Sequence, residues 1–224
     1  MLTIWFMCKK LFKCKTERIA NGEESLSVKK KQKIILISGT PGVGKTAVSR
    51  LLASKLNALH VDLGDLVKRE NLASGIDKTR DTLIADINKV SRRVQEIIKR
   101  CDCDVIIDGH YATDVVPSET VDLVFVIRRN PDELKKTMEN RGFKKGKIYE
   151  NLAAEILDVC LVDAISACSS EKVCEIDTTG IEIEEVTEDM LLVLNGKKKC
   201  TVGIVDWLGK LEAEGRLHLF LRDL

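Results

Sequence analysis

Residues 34–46 read Ile34-Ile35-Leu36-Ile37-Ser38-Gly39-Thr40-Pro41-Gly42-Val43-Gly44-Lys45-Thr46, and AVSRLLASKL follows from Ala47 to Leu56. A short apolar run, a glycine-rich turn and a helix-forming segment, in that order, predict a strand, a phosphate loop and a helix. The glycines let backbone N–H groups converge on phosphate oxygens. Lys45 can reach the terminal phosphates, the Thr46 hydroxyl can ligate magnesium, and the helix N-terminus adds its positive dipole end. This stretch therefore predicts a site for a nucleoside triphosphate.

Outward from the loop, Val48, Leu51, Leu52 and Leu56 repeat at helical spacing and complete a first strand–helix unit. Leu59 to Leu63 reads as a short second strand. A polar, helix-rich region from about 64 to 100 follows, its second half marked by a helical stripe of Leu83, Ile84, Ile87, Val90, Val94, Ile97 and Ile98. Residues 104–108 (DVIID) and 121–127 (VDLVFVI) predict two more strands, and Pro131 with Asp132 opens a helix to about Glu139. Arg141-Gly142-Phe143 breaks that helix, Lys144 to Lys147 read as a basic loop, and Ile148 to about Ala167 as one long amphipathic helix. Residues 173–176 are the last core strand. Strands alternating with helices predict an α/β fold, a parallel sheet with helices on both faces and ligands at the carboxyl ends of its strands.

The chain has 224 residues, enough for one domain with appendages. Residues 1–33 open with MLTIWFM, too short for a signal segment, and continue into a polar, lysine-rich lead-in expected to be disordered. Residues 181–224 hold two further amphipathic pieces, in which Trp207, Leu208 and Leu211 are expected to share a helical face packed on the domain. Lys plus Arg total 36 against 35 Asp plus Glu, a net charge of +1, which excludes bulk nucleic-acid binding. The eight cysteines are scattered, with no CxxC or Cys/His cluster, and no apolar run has the length of a membrane helix. These features predict a cytoplasmic protein with no membrane partner.

The chemistry beyond the loop rests on a few residues. Asp108 ends an apolar strand, where such folds place the carboxylate that holds magnesium opposite Thr46. His110, two residues on, could orient or deprotonate an attacking water or hydroxyl. Arg141, at a helix end before a lysine-rich loop with Lys144, Lys145 and Lys147, fits a closing lid whose charge neutralises a transferring phosphoryl group. Arg128 and Arg129 leave their strand at its ligand-facing end and could serve the same purpose. An acceptor site is expected between residues 62 and 90, where Asp62, Asp65, Lys68, Arg69, Asp77 and Arg80 form a polar cluster.

GTPGVGKT, LHVDLGDL followed by KRE, VIIDGHY, VFVIRRNPDEL and NRGF with KIYENLAAEI together resemble the adenylate kinase isoenzyme 6 family, also called coilin-interacting nuclear ATPase protein, in its archaeal members. The resemblance covers about residues 34–180, and the Asp-x-His at 108 and 110 is its most discriminating element. It implies a P-loop nucleoside monophosphate kinase fold, with a monophosphate-binding region at about 62–90, a short lid at about 140–150 and a C-terminal helical extension over 181–224. It also implies transfer from ATP to AMP giving two ADP, an ATPase activity, and a part in small-ribosomal-subunit maturation through a platform ribosomal protein and pre-rRNA. ATP would be held by Gly42, Gly44, Lys45, Thr46, Ala47 and Arg141, magnesium by Thr46 and Asp108, and catalysis would rest on Lys45, Asp108, His110 and Arg141. The sequence departs from the pattern at Lys68, where a guanidinium is usual and Arg69 stands one place away, and at Ala47, where a second hydroxyl is usual. Two other readings compete: an ATP-switched ribosome assembly factor with incidental kinase activity, and a kinase of small alcohols such as sugars.

Overall fold

The structure, a computed structural model, describes residues 31–78 and 82–221. The chain runs through β1 (Ile34–Ser38), α1 (Lys45–Leu56), β2 (Leu59–Asp62), α2 (Leu63–Glu70), β3 (Ala73–Asp77), β4 (Thr82–Ala85), α3 (Ile87–Arg100) and β5 (Val105–Asp108). It continues through α4 (Ala112–Val115), β6 (Leu123–Arg128), α5 (Pro131–Asn140), α6 (Lys145–Ile156), α7 (Val159–Cys168), β7 (Val173–Asp177), α8 (Ile183–Leu194) and α9 (Trp207–Ala213). Five strands pair in parallel in the order β2-β5-β1-β6-β7, and β3 and β4 form a separate antiparallel hairpin. The central β1 is buried along its whole length, as a continuous apolar run in a sheet covered on both faces must be.

Side-chain alternation divides the core between the two faces. Leu36, Val61, Ile107 and Val124 point toward α2, α3, α4 and α7, where they meet Leu66, Val94, Val115 and Ala164. Ile35, Ile37, Ile106 and Phe125 point toward α1, α5, α6, α8 and α9, and pack with Leu52, Leu134, Leu152, Met190 and Trp207. The chain leaves β1 for the β2 edge and later crosses to β6 on the other side. The strand order thus reverses around β1 and opens a crevice at the carboxyl ends of β1 and β5.

Three stretches differ from the sequence expectation. Residues 73–85 form the hairpin, so Leu83 and Ile84 lie on β4 and outside the helical stripe, and α3 starts only after Asp86, whose side chain accepts from the Lys89 N–H at 3.1 Å as its cap. The helix expected over 148–167 breaks in two at Asp158, which takes a left-handed φ of 57°. The basic loop is shorter than expected, because Lys145, Gly146 and Lys147 already form the first turn of α6.

At the C-terminal end, Trp207 and Leu211 are buried, one helical turn apart, whereas Leu208 is exposed. The Glu175 N–H donates to Thr201 O at 2.9 Å, so the residues after α8 lie along the outer edge of β7. At the other end, the Gln32 side-chain amide donates to the Cys101 and Cys103 carbonyls, each at 2.8 Å. Residues 1–30 of the expected lead-in, and Arg80, lie outside the described residues. No helix among the described residues is long and apolar enough to cross a membrane.

Candidate active site

The loop between β1 and α1 is shaped by glycines at positive φ, 103° at Gly42 and 107° at Gly44, the latter serving as the N-cap of α1. A Cβ added at Gly44 would meet no atom within 4 Å, so the space beside this glycine is open. Lys45 Nζ turns back over the loop and donates to Gly39 O at 2.7 Å and Thr40 O at 3.0 Å. Burial holds its pKa below the usual lysine value, against the pull of Cys160, Asp108, Glu155 and Asp62. A polyanion in the cradle would offset that desolvation, which is the condition a triphosphate satisfies. Gly42, Gly44, Lys45, Thr46, Ala47 and Arg141 line one cavity, so the six residues expected to hold ATP surround a single space.

Asp108 ends β5 directly beside β1 and β2, opposite Ile37 on one side and Asp62 on the other. It is 2% exposed, and its carboxylate is gripped at both oxygens. Oδ2 accepts from the Thr46 hydroxyl at 2.8 Å, and Oδ1 lies 2.5 Å from His60 Nε2. Thr46 Oγ1 also reaches Asp62 Oδ2 at 3.3 Å, while Asp62 Oδ1 caps α2 through the Asp65 N–H. No group of three or more His, Cys, Asp and Glu side chains among the described residues could hold an ion by itself. The donor set fits magnesium, which takes one or two protein oxygens and completes its shell with waters and phosphate oxygens.

His110 stands on the turn after β5 with its ring edge-on to Tyr111. It keeps an exposed surface, yet desolvation by the surrounding protein, with the positive charges of Lys45 and Lys147, pushes its pKa down to about 4. At neutral pH it is therefore an uncharged imidazole with an acceptor nitrogen. Arg141 caps α5 and lines the same cavity as Lys45. Lys144 and Lys145 are exposed, whereas Lys147 is half-buried and donates to the Thr82 hydroxyl at 2.9 Å, tying α6 to the hairpin.

Arg128 does not face the crevice. It is 1% exposed and committed to Glu155 at 2.9 Å, Glu175 at 2.5 Å and Asp158 at 2.5 Å. Arg129 pairs with Glu133 along α5 at 3.1 Å. In the acceptor region Lys68 and Arg69 end α2 in solvent, Arg69 leaning on Glu70, and Asp65 leans on Arg50. Asp77 lies on the hairpin and does not line the donor cavity. Two residues that the sequence reading passed over join the site. His60 had a signal, since it shares a strand face with Asp62 two residues on. Glu155, which accepts from the Thr40 hydroxyl at 2.6 Å behind the loop, lies within the KIYENLAAEI stretch of an amphipathic helix, where nothing local sets it apart from a solvated carboxylate.

Residues 35–158 match the family model described as AAA domain. A protein of Methanocaldococcus jannaschii that bears the name "Putative adenylate kinase" is 37% identical over 176 residues, which cover 79% of this chain and 93% of that protein. One of the same name from Pyrococcus furiosus is 40% identical over 175 residues, 78% of this chain and 91% of its own length. Among solved structures, an unliganded sugar kinase from Janibacter sp. HTCC2649 superposes with a TM-score of 0.51 at 17% identity, covering 74% of this chain and 95% of that one. That likeness concerns the fold alone.

Proposed function

Since the chain belongs to the AAA domain family and to the same family as these archaeal adenylate kinase relatives, we propose that it is a nucleotide kinase that transfers the terminal phosphoryl group of ATP to AMP. The observation that carries the reading is the cavity that the phosphate-loop residues Gly42, Gly44, Lys45, Thr46 and Ala47 line together with Arg141. The loop N–H groups and Lys45 bind and orient the β- and γ-phosphates, releasing Lys45 from the carbonyls of Gly39 and Thr40. Arg141, on the lid side, neutralises charge that spreads over the equatorial oxygens during transfer. Thr46 and Asp108 would hold magnesium, which would supply positive charge to offset that of the phosphates.

The finer assignment is to the isoenzyme 6 type, with an ATPase activity alongside the kinase. Its support is His110, neutral at physiological pH and two residues beyond the carboxylate, so able to accept a proton from or orient an attacking water. A cytoplasmic protein fits this reading. A second reading has a specific observation in its favour: Lys68 and Arg69, the cations expected to clamp an acceptor phosphate, both end in solvent. In that reading ATP turnover drives a ribosomal protein and pre-rRNA contact during small-subunit maturation, and AMP phosphorylation is incidental. One assay separates the two. ADP formation from ATP and magnesium is compared with and without AMP, and AMP is expected to raise the rate at least tenfold, with His110→Ala lowering only the AMP-independent part. A rate indifferent to AMP overturns the kinase reading.

A further inference from the structure

β2 brings one more side chain to the crevice than the phosphate-loop chemistry requires. His60 and Asp62 alternate onto the same face of β2, the face on which Ile106 and Asp108 stand in the neighbouring β5, paired His60 to Ile106 and Asp62 to Asp108. That face looks toward α1, which starts with Lys45 and Thr46. His60 Nε2 approaches Asp108 Oδ1 at 2.5 Å while the Thr46 hydroxyl donates to Asp108 Oδ2 at 2.8 Å. A carboxylate oxygen only accepts, so the ring nitrogen is the donor.

From this we infer that His60 is a positioning residue: its Nε2–H locks the Asp108 carboxylate so that Oδ2 stays turned toward Thr46 and the metal side of the phosphate site. The torsion that turns a carboxylate is soft and two-fold, so a carboxylate held at one oxygen alone would swap or splay. Thr46 cannot supply the second hold, because its hydroxyl, which can ligate an ion through a lone pair while still donating, reaches Oδ2 alone. His60 can, because it approaches from the adjacent strand and its side chain is only 18% exposed. A hydrogen-bonded partner behind a ligand is known to tune metal affinity about 10- to 100-fold, which sets the size of the expected effect. The inference rests on the assignment of Asp108 to the metal side and is independent of which acceptor is phosphorylated.

The test measures binding of Mn2+, as a stand-in for magnesium, to the ATP-loaded protein through the electron paramagnetic resonance signal of the free ion. His60→Leu is expected to weaken Mn2+ binding about tenfold or more, to raise the magnesium concentration for half-maximal turnover in parallel, and to leave affinity for metal-free ATP unchanged. His60→Gln, whose amide nitrogen falls near the place of Nε2, is expected to restore most of the loss. If His60→Leu lowers thermal stability, His60→Asn carries the comparison, since its amide is too short to reach Oδ1. Wild-type Mn2+ affinity in His60→Leu, or a Gln variant as impaired as the Leu variant at equal stability, overturns the proposal while leaving the metal-side assignment intact. Asp108→Asn with unchanged Mn2+ binding overturns that assignment, and the proposal with it.

Discussion

Glu155 shows how much one buried side chain can hold. Its carboxylate accepts from Arg128 Nε at 2.9 Å, the Arg129 N–H at 3.1 Å, Trp207 Nε1 at 3.2 Å and the Thr40 hydroxyl at 2.6 Å. At 1% exposure it has no water to replace any of them. Truncation at Glu155→Ala leaves the Arg128 guanidinium with Glu175 and Asp158 but strands a threonine hydroxyl and an indole N–H in the interior. Breaking a buried ion pair from one side costs about 3–5 kcal/mol, and that loss is expected in urea denaturation of the Ala variant. Glu155→Gln keeps the shape and one acceptor, but sets an amide N–H against a donor, so about 1–3 kcal/mol is expected there. An Ala variant within 0.5 kcal/mol of wild type would show that the cluster is not a stabilising unit.

At the scale of the elements, the phosphate loop combines two constraints that substitution can separate. At Gly42 a Cβ would sit 3.0 Å from Leu134 Cδ1 and 3.1 Å from Met138 Cγ on α5, in addition to the strain of a φ of 103°. At Gly44 the φ of 107° is equally unsuited to a side chain, but the added Cβ meets nothing. Backbone strain of this kind costs of order 1–3 kcal/mol. Gly42→Ala is therefore expected to lower the thermal midpoint more than Gly44→Ala, whereas Gly44→Ala, which strains a residue lining the cavity, is expected to lose ATP affinity at least as strongly. Equal midpoints would show that α5 yields to the Gly42 methyl without cost. The loop was legible from sequence because its constraints are local: conformation, charge and hydroxyl fall within eight residues. The hairpin was not, because Leu83 and Ile84 extend the apolar period of α3, and only the Asp86 cap divides them from it. The break at Asp158 had no glycine or proline to announce it. Asp108 was legible as a strand-end carboxylate, but its partner His60 became visible only through the β2 and β5 register, which no local pattern encodes.

Over the whole molecule, the same carboxylate ties the loop after β1 to the C-terminal segment. Thr40, at the start of the phosphate loop, reaches Glu155 Oε2, and Trp207, at the start of α9, reaches Oε1. The Ile204 N–H donates to Glu175 Oε2 at 2.8 Å, and Glu175 in turn pairs with Arg128, so the segment before α9 enters the same network from the β7 side. Groups that share one acceptor are coupled, because each fixes the position the carboxylate offers to the other. The coupling is measurable in a double-mutant cycle. Thr40→Val removes the hydroxyl and keeps the branched shape, and Trp207→Phe removes the indole N–H and keeps most of the ring in the core. Each alone is expected to cost about 1 kcal/mol, and the pair should depart from additivity by about 0.5–1 kcal/mol in denaturant unfolding. Trp207→Phe combined with Asp86→Ala, the cap of α3 with no shared partner, serves as the control and should add within about 0.5 kcal/mol. Additivity in both cycles would mean that the C-terminal segment packs beside the phosphate loop without energetic connection to it; coupling confined to the Thr40 cycle would make the segment part of what holds the loop in its binding shape.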